Sequence, residues 1–274
     1  MLVGAAASKS VITAVDLTID GLLVLGHKLA ITEDFPICLG VHNNIVDLEL
    51  RAVVWAAVAE GLTGQLILDE AGHPHPEVAA MLLTAARAER TLEGRWYHPG
   101  PQGRMTRFAI CRHEDNHVIV VRGGDRGERI VFQRASARVG LAAMVEAVIG
   151  QVAAAPITSP IMGPVEEIKH ATDPEDLTRF GCDVRSATTL LAAVAQPSSW
   201  VELVATERLP GGTIERPSVA AGVLDSNTGR VVSIPRSLKN SLYGTFTAGT
   251  TTNLARAITE LVTFLPSGAW DEAQ

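Results

Sequence analysis

From residue 90 onward, apolar and polar side chains alternate in short runs before the period lengthens to that of a helix. The alternation predicts strands over about 92–97, 104–112, 117–122 and 128–134, separated by "HPGPQG", "HEDN" and "GGDRG". A helix follows over about 138–149, with Leu141, Val145, Val148 and Ile149 at helical spacing. Reading on from Trp200 gives the same order: strands near 200–208, 218–224, 230–234 and 242–247, then a helix near 251–264. Pro235 falls in a connection on this reading. "LAAMVEAVI" (141–149) overlays "LARAITELV" (254–262), and "MLLTAARA" (81–88) overlays "TLLAAVAQ" (189–196), each of the latter pair ahead of a tryptophan. Trp96 and Trp200 are therefore expected at equivalent core positions. Similarity at a period of about 100 residues is too long for a solenoid and predicts a duplicated unit with quasi-twofold symmetry.

The remaining pattern is helical. "SVITAVDLTI" (10–19) alternates as a strand, and Asp20 is expected to cap a short helix reaching about residue 29. "DLELRAVVWAAVAEG" (47–61) has Asp47 as N-cap, an apolar face of Leu50, Val53, Val54, Ala57 and Val58, and Gly61 as its stop. Pro76 opens a helix at its first position. "GPVEEIKHAT", "DPEDLTRFG" and "DVRSATTLLAAVA" each begin on an Asp or Pro signal. "GQVAAAPITSPIMGP" (150–164) has no period and is expected to be a linker. The chain thus divides into halves of 14–149 and 165–270 within one domain of 1–274. The fold class is α+β: a central antiparallel sheet flanked by two helical bundles, with quasi-twofold internal duplication.

Composition changes that picture little but narrows the function. In 274 residues, 47% are hydrophobic and 19% charged, as in a globular chain with a real core. A formal charge of -7 without a Lys/Arg cluster argues against a nucleic-acid surface. The longest apolar runs are too short to span a bilayer, and the amino terminus does not resemble a secretory signal, which predicts a cytoplasmic protein. Cys38, Cys111 and Cys182 stand far apart and read as reduced, buried thiols.

Candidate chemistry is sparse. His113 and His117 are four apart, a spacing that suits zinc on a helix, but their flanks "RFAIC" and "VIVV" are strand-like. The corresponding turn in the second unit, Asp225 to Gly229, has no histidine, so a polar hairpin turn is the better reading. "GGDRGER" links two strands and lacks the helix amides of a phosphate loop. The threonines of "GTFTAGTTTN" read as helix caps. "GHPHPE" reads as an extended polar connector, and Glu166, Glu167, Asp173, Glu175 and Asp176 as first-turn helix residues. No cofactor is implied. In each unit the longest loop joins the first two strands, 98–104 and 207–217, and displayed loops on a rigid sheet commonly carry recognition.

Several ordered stretches then point to a family. "VDLTIDGLLVL", "RTLEGRW", "AAGVLDSNTGRVVSIPRS", "LYGTF" and "LVTFLPSGAW" closely resemble the EspG family of mycobacterial type VII (ESX) secretion, and within it the branch of the first-numbered ESX system. The resemblance implies a cytosolic chaperone without enzymatic activity. It would bind a PE/PPE heterodimer at the tip of the PPE protein, keep it soluble and direct it to its cognate secretion machine. It also implies partner contacts at His98, Pro99, Gln102 and Arg104 in the first hairpin loop, and at Leu190, Val201, Leu203, Glu207 and Arg208 in the second half. Two other readings compete: a metal-dependent hydrolase using His113, His117 and His98, and a non-catalytic subunit that homodimerises weakly through a sheet edge.

Overall fold

The computed structural model describes residues 12–31, 35–124, 127–238 and 241–271. The start of the strand expected over 10–19 and the middle of the 123–129 turn lie outside these residues. The strands are β1 (Ala14–Thr18), β2 (Arg90–His98), β3 (Arg104–His113), β4 (Asn116–Gly123), β5 (Arg129–Ala135), β6 (Ile161–Pro164), β7 (Pro197–Arg208), β8 (Ile214–Glu215), β9 (Ala221–Ser226), β10 (Gly229–Leu238) and β11 (Ser241–Ala248). The helices are α1 (Ile19–Lys28), α2 (Leu48–Gly64), α3 (Pro76–Ala86), α4 (Leu141–Ile149), α5 (Val165–Lys169), α6 (Pro174–Thr178), α7 (Val184–Ala195) and α8 (Thr251–Val262).

Among the described residues these strands pair antiparallel throughout, in one sheet of order β1-β5-β4-β3-β2-β7-β9-β10-β11-β6, with β8 beside β7. The order reads as a meander from each end toward the middle. It places β1 opposite β6, β5 opposite β11 and β2 opposite β7, about an axis through the central β2–β7 pair, whose ladder runs from Arg90↔Glu207 to Tyr97↔Trp200. This is the topology expected of a duplicated unit.

Because side chains alternate across a strand, the two faces carry different cores. On one, the bundle face, α1 and α3 cover the first half through Val78, Leu82, Ala109, Val120 and Phe132, while α5, α6 and α7 cover the second through Ile168, Leu177, Leu190 and Val231. On the other, α4 and α8 pack together over Phe108, Ile110, Leu203, Val223 and Val232. Gly94 serves this second core, since the Phe108 ring lies so close that an added Cβ would fall 2.1 Å from it.

Four local expectations change. The linker of 150–164 contains β6, which pairs with β11, and its Ala155, Ile157 and Ile161 are buried; the mixed Ala/Pro composition hides an edge strand because β6 is only four residues long. Pro235 lies inside β10, opposite Gly244. β9 stops pairing at Ser233↔Gly222, so one side of β10 needs no donor there. Thr18, not Asp20, caps α1, its Oγ1 accepting from the Gly21 amide at 3.0 Å. α2 runs past Gly61 to Gly64, and its expected apolar face is partly open, with Leu50 and Val53 exposed. Asp47 does cap α2, accepting from the amides of Glu49 and Leu50, and Thr250 caps α8.

The segment after each half's last helix crosses to the other half. Gly150 and Ala153 offer carbonyls to Arg230 on β10, and the stretch beyond α8 brings Trp270 onto His117 of β4.

Candidate functional site

The two bundles leave the middle of their face uncovered at one end of the β2–β7 pair. There Tyr97 and Trp200 stack with ring centroids 4.2 Å apart, and Trp200 is 39% exposed. Two register positions inward, Arg95 donates to Glu202 at 3.3 Å. Two residues further along β2, Glu93 is buried and paired with Arg216 at 3.4 Å. Burial raises the Glu93 carboxyl above its ordinary value, and the Arg216 and Arg95 charges partly offset this. Met105, opposite Tyr97, adds a second exposed apolar side chain.

Trp200 corrects the expectation of paired core tryptophans. Trp96 packs against the α4/α8 core, whereas Trp200 lies on the opposite face beside Leu224. The two stand on strands of the central pair, but adjacent register positions put them on opposite sides of the sheet.

The loop between β2 and β3 borders this patch. Pro99, Gln102 and Arg104 are exposed, and His98 is half-buried against Trp96 with ring centroids 4.3 Å apart. Burial and the nearby Arg104 charge hold the His98 imidazole below its ordinary value. Gly103, at φ 36°, lies so close to the Tyr97 hydroxyl that an added Cβ would approach it to 2.9 Å, so the loop is braced on the aromatic stack.

The other expected contacts have structural partners. Val201 and Leu203 are buried in the α4/α8 core and Leu190 in the core beneath α7. Buried Glu207 faces Arg90 at 3.5 Å and accepts from the Ser267 amide at 2.9 Å. Arg208 donates to the carbonyls of Ala86 and Ala88, closing the end of α3. None of these five presents a free side chain. The exposed surface that remains on this face is Tyr97, Trp200 and Glu202, bordered by the 98–104 loop. The clue lay in "SSWVELVATER": alternation puts Trp200 on the side of Glu202, away from Val201 and Leu203.

His113 and His117 diverge. His113 pairs across the turn with Asn116, and His117 with Arg112, so the two imidazoles project from opposite faces of the sheet. His113 Nδ1 lies 2.6 Å from Glu89 Oε1, and His117 Nε2 accepts from the Trp270 indole at 3.1 Å. Among the described residues no group of three or more His, Cys, Asp or Glu could hold a metal ion, and no helix is long and apolar enough to cross a membrane. All three cysteines are buried, and burial pushes each thiol above its ordinary value.

Comparison with known proteins supplies the context for this surface. The model of the EspG family matches residues 18–260. Over 267 residues the chain is 46% identical to the ESX-1 secretion-associated protein EspG1 of Mycobacterium marinum, covering 97% of this chain and 94% of that protein. For EspG1 of Mycobacterium tuberculosis the identity is 44%, with coverage of 97% and 93%. The ESX-3 secretion-associated protein EspG3 of Mycolicibacterium smegmatis is 27% identical over 266 residues, 94% of this chain and 89% of that protein. The fold also matches the solved Mycobacterium tuberculosis type VII secretion system chaperone EspG5, determined in complex with a PE25–PPE41 dimer. The TM-score is 0.73 at 18% identity, over 96% of this chain and all of that one.

Proposed function

We propose that this chain, which belongs to the EspG family, is a non-catalytic cytoplasmic chaperone that binds PE/PPE heterodimers and directs them to an ESX-1-type secretion machine. Identity of 44–46% to EspG1 proteins along nearly the whole chain supports the assignment, and the EspG5 complex supports the class of partner. The observation that carries the docking surface is the open Tyr97–Trp200 stack on a face that is otherwise roofed by helices. Large aromatic side chains held rigid in the open are typical anchors of protein interfaces.

The mechanism is shielding. An apolar client tip laid across Tyr97, Trp200 and Met105 loses its contact with water, and an interface of roughly 1,200–2,000 Å² would suffice for a specific complex. The 98–104 loop and the Arg95–Glu202 pair would set the register and disfavour wrong clients, because a mismatched charge at the rim costs more than a matched one contributes. Stable binding of this kind requires no chemical step, and competition from the secretion machine would release the client.

The test is co-expression with cognate PE/PPE pairs followed by size-exclusion chromatography. A soluble ternary complex is expected, and it should be lost when Trp200→Ala is combined with replacement of residues 99–103 by an Asn-Gly turn. Separate elution of the unaltered chain from every candidate pair would overturn the reading.

A further inference from the structure

Beside the 98–104 loop the bundle face opens into a cavity of about 660 Å³ lined by Gln102, Gly103, Arg104, Arg107, Arg122 and Gly127, among others. Arg107 and Arg122 face into it from the strands, Arg104 stands at its rim, where alternation turns it toward His98, and among its described lining residues there is no carboxylate. Arg122, Arg107 and Arg95 form one continuous row across β4, β3 and β2. Like charges directly opposite one another on neighbouring strands repel. Arg95 is neutralised by Glu202. Arg122 is held by the carbonyls of Leu39, Gly40 and Gly127, at 2.6, 2.7 and 2.8 Å, which satisfy its donors without cancelling its charge. Arg107 stands between the two. An ideal Cβ on Gly40 would lie 2.6 Å from Nη1 of Arg107 and 3.2 Å from Nη1 of Arg122, so the two guanidinium groups converge within about 6 Å of each other. Burial, and then the Arg107 charge, makes Arg122 a stronger acid than usual. The Glu128 carboxylate lies over Gly124 at the cavity's edge.

The duplicated half does not repeat the feature. When the His113–Asn116 turn is aligned with the Ser226–Gly229 turn, Arg107 falls on Ala220 and Arg122 on Pro235. The sheet therefore needs no charge at these positions, and the first half has concentrated positive charge beside the one loop that braces the aromatic stack. In a chain of net charge -7 this pocket is a local exception. Planar guanidinium groups on fixed strands suit the paired oxygens of a carboxylate.

We infer that the Arg104–Arg107–Arg122 pocket seats an acidic side chain or short acidic segment of the protein client docked on the Tyr97–Trp200 patch. This inference rests on the docking surface proposed above. It assigns the pocket the part of fixing orientation, because a client whose acidic segment points elsewhere on this acidic chain meets repulsion.

The test measures binding of the purified PE/PPE dimer at about 50 and about 500 mM NaCl, across which exposed charge pairs are progressively screened. The proteins are the unaltered chain, R107E and R104E. The unaltered chain should lose about tenfold or more in affinity at high salt, and each variant should start about tenfold weaker with a flatter salt response. Arg104 is exposed, so R104E reads the pocket even if R107E unfolds. Both variants binding like the unaltered chain at low salt would overturn the inference. Should the unaltered chain bind no PE/PPE pair, the docking proposal fails on its own. Titration of hexaglutamate peptide at low salt then decides the pocket: heat that disappears in R104E supports it, and no heat overturns it. Inorganic phosphate binding without hexaglutamate binding overturns the assignment to a protein segment.

Discussion

Among the described residues Arg230 is the largest side chain buried to within 2% of complete, and its charge is neutralised from within the chain. Its Nε and Nη2 donate to the two oxygens of Asp225 at 2.6 and 2.9 Å, and Nη1 donates to the Gly150 carbonyl at 3.0 Å. Removing one member of a buried pair strands the other. Asp225→Ala is therefore expected to cost about 3–5 kcal/mol in urea unfolding, while replacing both residues with apolar ones should cost much less. Gly229 is fixed by the same contact: it sits at φ 115° with the backbone of Ala153 and Ala154 against it, so Gly229→Ala should be destabilising as well. None of this was legible in "DSNTG", which reads as an ordinary turn. Sequence shows that a turn is polar but not which distant segment comes to lie on it. The same gap hid which of the two faces of β7 carries Val201 and Leu203.

Elements with strong periodicity were legible, and those defined by packing were not. Both four-strand meanders and α4 and α8 emerged from alternation and spacing, whereas β6 did not, because four residues containing Gly and Pro carry no period. α2 shows the converse case: its cap was readable in Asp47, but its apolar residues do not all meet a core. Since Val53 is 69% exposed, Val53→Glu should shift stability by no more than about 0.5 kcal/mol, checked by urea titration. The stretch beyond α8 is more sensitive. The His117 ring accepts the Trp270 indole proton on Nε2, which only the neutral ring can do. Burial, followed by the Arg112 charge, lowers the His117 pKa, while the Asp115 backbone and the Asp271 charge oppose the shift. A depressed folded pKa means that the contribution is complete above the ordinary value of 6.5 and is lost as pH falls from there through the folded value. Lowering the pH from about 7.5 to about 5.5 should reduce the melting temperature, and His117→Gln should shrink that drop. An unchanged drop would mean that other groups set the acid response.

At the scale of the whole molecule, the repeat was legible because both copies keep the same order of strands and helix, and the sheet order bears this out. The seam was not, since eight ladder positions of β2 and β7 join the halves through residues no sequence signal pairs. Divided after Pro156, each half alone should expose an unpaired central edge and precipitate, while co-expressed halves should co-purify. Soluble, monomeric single halves would show that the seam is dispensable.

Containing both copies in one polypeptide has a further result. A true homodimer must show every residue twice, so a charge added to one side is mirrored on the other and any visitor meets the same terrain from two directions. Here Arg107 has Ala220 as its counterpart and Arg122 has Pro235, so the doubled frame is free to present a lopsided grip suited to a guest with no symmetry of its own.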